Sequence, residues 1–226
     1  MISDFIGVYD IPDLIQDMDI PNKINLEEFI NTNSCENIIK TFESDMDKNY
    51  NKNSGLAYFN KKRQRICAGT SLDFSSGGII NDTIFLFLNS ALKLYTEKYD
   101  FLRTQDAGRW RLAPLYNLQR YDGELEGYFT LHSEQSGQYP YRMLVWMIYL
   151  NEAECGTEFP YQEKIVTPKV GRTVLWPAAW THPHKGVTPN KGFKYIATGW
   201  YYFLPVGEQP KFDGHHPHEQ RQEIVV

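Results

Sequence analysis

The sequence predicts a mainly β chain, a sandwich or jelly roll carrying packing helices, and three observations point to it. From Trp110 onward, short runs of β-branched and aromatic residues follow one another, separated by turns rich in Gly, Pro and Asn. Helical periodicity is confined to two stretches before residue 100. Aromatic residues make up 15% of the chain, 15 Tyr and 5 Trp among them, which favours pleated, ring-lined interiors.

The elements follow in order. Residues 3–10, SDFIGVYD, predict a short opening strand, and Pro12 and Pro21 break up the stretch from 11 to 33. Asn33 or Ser34 caps a helix reaching to about Met46, with Ile38, Ile39, Phe42 and Met46 on one side. The polar segment 47–55 reads as a surface loop, and the locally basic 59–69, FNKKRQRICAG, as a solvated strand or loop rather than a binding patch. Asn81-Asp82 offers capping chemistry for a second helix over 82–98. Its stripe of Ile84, Phe87, Leu88, Ala91, Leu92 and Tyr95 should pack on a sheet, with Lys93, Glu97 and Lys98 off it. Strands are then expected in RLAPLYNLQRY, GYFTLHS, RMLVWMIYL, EKIVTP, RTVLWP and KYIATGWYYF, with turns in YDGELEG, EQSGQYP, NEAECGTE and TPNKG. The expected organisation is a single domain over 1–226. An N-terminal strand and buttressing helices occupy 1–108, a jelly-roll core 109–206, and a polar, mobile tail 207–226.

Composition narrows the function classes. The chain has 226 residues, 42% hydrophobic and 23% charged, an ordinary globular balance. A net charge of -5 without a basic block argues against a nucleic-acid partner. Cys35, Cys67 and Cys155 are odd in number and widely spaced, which suits free thiols in a reducing compartment rather than a disulfide framework or a CxxC zinc site. The N-terminus lacks a basic region ahead of an apolar core, and the longest apolar run, Met143 to Leu150, is eight residues, too short for a bilayer. No membrane partner and a cytoplasmic location are expected.

The chemistry concentrates between Phe129 and Trp200, where His132-Ser133-Glu134, His182-Pro183-His184 and Lys194 occur. On a strand, His132 and Glu134 share a face, roughly 6.6 Å apart over two rises of about 3.3 Å. Two imidazoles and one carboxylate suit Fe(II), Mn or Zn, and form the facial set of non-haem Fe(II) sites. Either His182 or His184 can supply the distal imidazole. Lys194 follows His184 by ten positions, across a turn holding Gly186, Pro189 and Gly192. An inward Lys194 would share its face with Ile196, Thr198 and Trp200 and would call for an anion. An outward one would bury Tyr195, Ala197 and Gly199 instead. His215, His216 and His218 read as part of the mobile tail, not as a second metal site.

One ordered series of features runs from about residue 110 to 203: Leu118-Gln119-Arg120-Tyr121, His132-x-Glu134, Arg142, Tyr149-Leu150-Asn151, Gly156-Thr157-Glu158-Phe159, Pro168-x-x-Gly171-Arg172, Trp176-Pro177, His182-x-His184, Lys194-Tyr195 and Gly199-Trp200. The series resembles the Fe(II)/2-oxoglutarate-dependent dioxygenases, particularly their prolyl-4-hydroxylase-like branch. The resemblance implies a double-stranded β-helix whose major sheet is buttressed by helices. It implies Fe(II) held by His132, Glu134 and His184, the spacing to Lys194 selecting His184 over His182. Lys194 would pair with the remote carboxylate of 2-oxoglutarate, and Tyr121 would help hold that co-substrate. Thr198 and Tyr149 would line the pocket, while Arg142 and Trp200 would pack or support. The family usually has Asp where this chain has Glu134, one methylene longer. The implied reaction uses dioxygen to hydroxylate a prolyl or other peptide residue, or a small molecule, releasing succinate and carbon dioxide. The alternatives are a non-catalytic jelly-roll module with a degenerate or structural metal site, and a zinc or manganese enzyme of cupin type. Loops 47–55, 99–109 and 135–141 are the expected sources of substrate contacts. Tyr139 and Tyr141 beside Arg142 would form an aromatic rim.

Overall fold

The computed structural model describes residues 4–16, 33–50, 65–66, 68–123, 127–128, 130–188 and 191–204. The tail 207–226 with its three histidines, loop residues 51–55, and residues 59–64 and Cys67 of the basic segment lie outside the described residues.

Three layers position the site. The middle layer is an antiparallel sheet ordered β1 (Gly7–Tyr9), β10 (Thr173–Pro177), β7 (Arg142–Tyr149), β12 (Phe193–Phe203), β5 (Leu115–Asp122) and β3 (Ala68–Asp73), with β4 (Trp110–Leu112) also paired to β12. One outer layer is helical: α1 (Ile11–Gln16), α2 (Asn33–Tyr50) and α3 (Ile79–Lys98). The other is a three-stranded sheet, β11 (Lys185–Val187), β8 (Gly156–Phe159) and β9 (Lys164–Val166). A short pair joins β2 (Arg65–Ile66) to β6 (Gly127–Tyr128). The expected jelly-roll class, mainly β with packing helices, is the observed one.

Strand alternation explains the layers. Leu144, Trp146 and Ile148 of β7 face the helices, where they join Ile84, Phe87, Leu88, Ala91, Leu92 and Tyr95 of α3. Val145, Met147 and Tyr149 face the small sheet and join Phe159, Val166, Val174, Trp176 and Ile196. A strand covered on both faces reads as a continuous apolar run, which is why RMLVWMIYL shows no alternation. Gly199 of β12 makes room for this packing: a Cβ there would lie 2.6 Å from the Trp146 ring.

Several boundaries differ from expectation. The first long helix continues to Tyr50, so residues 47–50 are helical rather than loop. The second begins at Ile79, and Asn81 does not cap it. Instead Asn81 Nδ2 donates to the carbonyls of Asp73 and Gly77, both at 2.9 Å, and its Oδ1 accepts from Tyr116 Oη at 2.6 Å. It fastens the helix to the sheet. Two strands, GTEF and KGV, fall in stretches read as turns, because three or four residues beside glycine carry no legible period. GYFTLHS is not one strand: regular pairing covers Gly127–Tyr128, and His132 instead forms an isolated bridge with His184. The 99–109 loop holds two 3-10 turns, Asp100–Arg103 and Gln105–Ala107.

Candidate metal centre

Two irregular segments meet at the open side of the sheet. The His132 amide donates to the His184 carbonyl at 3.1 Å, and the His184 amide returns the bond at 2.9 Å. Residues opposed in this way project to the same side, and the two rings lie 4.4 Å apart. Next to them, the amides of Glu134 and Gln135 both donate to the Ala178 carbonyl, and the Ala178 amide donates to Met143 of β7. These backbone bonds replace the strand geometry expected for His132 and Glu134. They bring one donor atom each from His132, Glu134 and His184 within 4.8 Å of one another.

The protonation states suit a cation. His132 Nδ1 lies 2.9 Å from the Thr130 carbonyl, and His184 Nδ1 lies 3.1 Å from the His182 carbonyl. A carbonyl only accepts, so each Nδ1 carries the proton and each Nε2 keeps its lone pair for the centre. These Nε2 atoms are 3.4 Å and 3.8 Å from Glu134 Oε1. Burial, with His132 close by, pushes His184 down to about 4, so its ring is neutral near pH 7. Burial works to raise the Glu134 carboxyl, but the neighbouring imidazoles and the Arg142 guanidinium bring it down to about 2. Phe159 and Trp176 pack on the His184 ring at centroid distances of 5.6 Å and 5.0 Å and form an apolar wall. Two imidazole nitrogens and one ionised carboxylate at this spacing fit a divalent first-row metal.

His182 is turned away from this centre. Its Nε2 lies 2.8 Å from the Asp4 carbonyl and must donate there, so its Nδ1 accepts from Thr181 Oγ1 at 2.9 Å. Both ring nitrogens are committed to holding the loop.

Lys194 lies on β12 opposite Tyr121 of β5 and is only 3% exposed, so the inward orientation is the observed one. Its Nζ stands 4.6 Å from the centroid of the Tyr121 ring. Tyr121 Oη donates to Gln119 Oε1 at 2.7 Å, a partner that sequence reasoning assigned no role. Gln119 precedes Tyr121 by two positions on β5, and that spacing is the signal that could have found it. Thr198 Oγ1 donates to the Trp146 carbonyl at 2.9 Å. The Tyr149 hydroxyl is engaged by Thr157 Oγ1 and the Val166 carbonyl at 2.8 Å and 3.0 Å. Arg142 and Trp200 touch the centre directly: Arg142 Nη1 and Trp200 Nε1 donate to Glu134 Oε2 at 2.7 Å and 3.1 Å.

Residues 116–202 match the sequence model of the 2OG-Fe(II) oxygenase superfamily, and the three clustered donors, Tyr121, Lys194 and Thr198 all lie inside the match. Over that stretch the chain is similar to the 2OG-Fe(II) oxygenases. No curated protein sequence matches this chain. Among solved structures it is similar to the viral collagen prolyl hydroxylase of Paramecium Bursaria Chlorella virus-1. That pair has a TM-score of 0.55 and 16% identity, covering 88% of this chain and 97% of the viral one. A prolyl-4-hydroxylase of Pseudomonas putida gives a TM-score of 0.54 at 14% identity, covering 78% and 90% of the two chains. The carbocyclase SnoK from nogalamycin biosynthesis gives 0.53 at 9%, covering 86% and 84%. These likenesses speak for the fold of this chain. Since one of the three is a carbocyclase, the fold alone names no reaction.

Proposed function

We propose that this chain uses Fe(II), 2-oxoglutarate and dioxygen to hydroxylate a C–H bond of a peptide residue, prolyl or other, or of a small molecule. The balanced reaction takes substrate, 2-oxoglutarate and dioxygen to alcohol, succinate and carbon dioxide. The observation that carries this reading is the convergence of His132 Nε2, His184 Nε2 and Glu134 Oε1, with both imidazole protons committed elsewhere. Bound at these three donors, Fe(II) would supply the redox centre at which the co-substrate is oxidatively decarboxylated.

The chain's own residues then have separable tasks. His132, Glu134 and His184 would hold the metal through two imidazole nitrogens and one carboxylate oxygen. Lys194, buried on β12, pairs its ammonium with the remote carboxylate of 2-oxoglutarate. Tyr121 flanks that ammonium and steadies the same end. Thr198, on the Lys194 side of the strand, lines the passage between them. Phe159, Trp176 and Ile196 keep bulk water from the reacting atoms. A cytoplasmic setting is supported by Cys35 and Cys155, which are free and buried. No helix among the described residues is long and apolar enough to cross a membrane.

The test is anaerobic titration of the full chain with Fe(II) and 2-oxoglutarate. A weak visible charge-transfer band is expected in the wild type and lost in His184→Ala. Absence of the band in the intact protein would sink the assignment. A succinate-release screen over free amino acids, proline peptides and nucleobases then identifies the substrate class.

A further inference from the structure

We infer that the Glu134 carboxylate is divided between two tasks, one oxygen for the metal and the other for a rigid clamp, and that the clamp makes the site selective for glutamate over the shorter aspartate. The inference rests on the ligand assignment proposed above. Oε1 faces the two imidazole lone pairs at 3.4 Å and 3.8 Å. Oε2 accepts from Arg142 Nη1 at 2.7 Å and from Trp200 Nε1 at 3.1 Å, so it is occupied by two donors. Only one carboxylate oxygen remains for a cation.

Neither donor is placed to follow a retreating carboxylate. Trp200 sits within the longest strand of the sheet, opposite Val145 of β7. The guanidinium carbon of Arg142 lies 3.6 Å from the Trp200 ring centroid and 4.1 Å from that of Tyr139, and such face contacts hold the guanidinium plane. A register shift between Tyr201 and Tyr202 aims Arg142 inward: Met143 and Leu144, though consecutive, both pack on the helix side. The extra residue turns the preceding Arg142 to the opposite face, as β-bulges do. The Glu134 backbone is held as well, since its amide donates to Ala178 and its carbonyl lies 3.4 Å from Arg142 Nη1. With backbone and donors fixed, an aspartate, shorter by one C–C bond of about 1.5 Å, reaches either the clamp or the metal.

The test uses Co(II) titration of the metal-free full chain, read by visible absorption, beside the melting temperature of the metal-free protein. Glu134→Asp is expected to weaken Co(II) binding about 10–100-fold, the range found when partners of metal ligands are disturbed, and to shift the visible bands without lowering the melting temperature. Trp200→Phe keeps a ring for Arg142 to stack on but removes the N–H, and it should shift the same bands. Arg142→Lys, which keeps the charge and loses the planar fork, provides the second clamp variant where Trp200→Phe melts early. Wild-type affinity and spectrum in Glu134→Asp overturn the inference and leave the ligand assignment standing. A wild-type protein that takes up no Co(II) overturns both.

Discussion

Two histidines only two positions apart, His182 and His184, are separated in role by what their ring nitrogens face. His184 gives its Nδ1 proton to a carbonyl two residues back and turns Nε2 to the centre, whereas both nitrogens of His182 are bound to Asp4 and Thr181. Isothermal titration with Co(II) should therefore show binding abolished in His132→Ala and in His184→Ala, and retained in His182→Gln. Loss of binding in His182→Gln with an unchanged melting temperature would reverse the assignment. Lys194 gives a second test at this scale. A charge-assisted hydrogen bond is worth about 1.5–3 kcal/mol, so Lys194→Met should weaken 2-oxoglutarate binding by about 10–100-fold. Metal affinity, measured in the same titration, should stay at the wild-type value.

Among the elements, β1 acts as a strap across the edge of the sheet. It pairs with β10, and the residues around it are tied down by side chains from distant parts of the chain. Arg172 Nε and Nη2 grip both oxygens of Asp10 at 2.6 Å and 2.9 Å, Lys164 reaches Asp4 at 2.7 Å, and Tyr95 Oη donates to the Phe5 carbonyl at 2.9 Å. The Asp4 carbonyl in turn holds His182, so the strap reaches the loop that carries His184. The hydrogen bond from Arg172, outweighing burial, holds the Asp10 carboxyl below its usual 3.8. A carboxyl depressed on folding stabilises the folded state above its unfolded value and loses that contribution as pH falls through the lower folded value. Asp10→Asn should thus cost about 1–2 kcal/mol at neutral pH, seen by urea unfolding. The gap to wild type should close as pH drops below about 4.

For the whole molecule, one sheet separates two interiors with different duties. The helix-side interior is built from large apolar groups, and Leu88 at its middle is fully buried. Leu88→Ala should cost about 2–5 kcal/mol of stability while Co(II) affinity stays unchanged, because the sheet lies between it and the centre. Gly199→Ala probes the sheet itself. Its new Cβ would meet the fully buried Trp146 ring at 2.6 Å, and overpacking of this kind costs about 1–3 kcal/mol or more. Its thermal melt should fall below wild type even though alanine suits a strand no worse than glycine.

What was legible in the sequence is what local periodicity and residue chemistry encode. The α3 stripe, the unbroken apolar run of β7, and the His-x-Glu and His-x-His pairs could all be read along the chain, because each depends on neighbours a few positions away. The inward turn of Lys194 was left open there, and the cover on both faces of β12 settles it. Asn81 looked like a cap because capping residues share its chemistry, but Tyr116, 35 positions on, gives it a different partner. Short β8 and β11 carry no period and exist only because their pairing partners are brought to them. The same holds at the centre. His-x-Glu and His-x-His name the ligand types, but which oxygen of Glu134 faces the imidazoles depends on Arg142 and Trp200, eight and 66 positions away. A bulge in β7 and the curl of two loops bring those groups together, and hydrogen-bond geometry across such distances is set by packing rather than by any local run of residues.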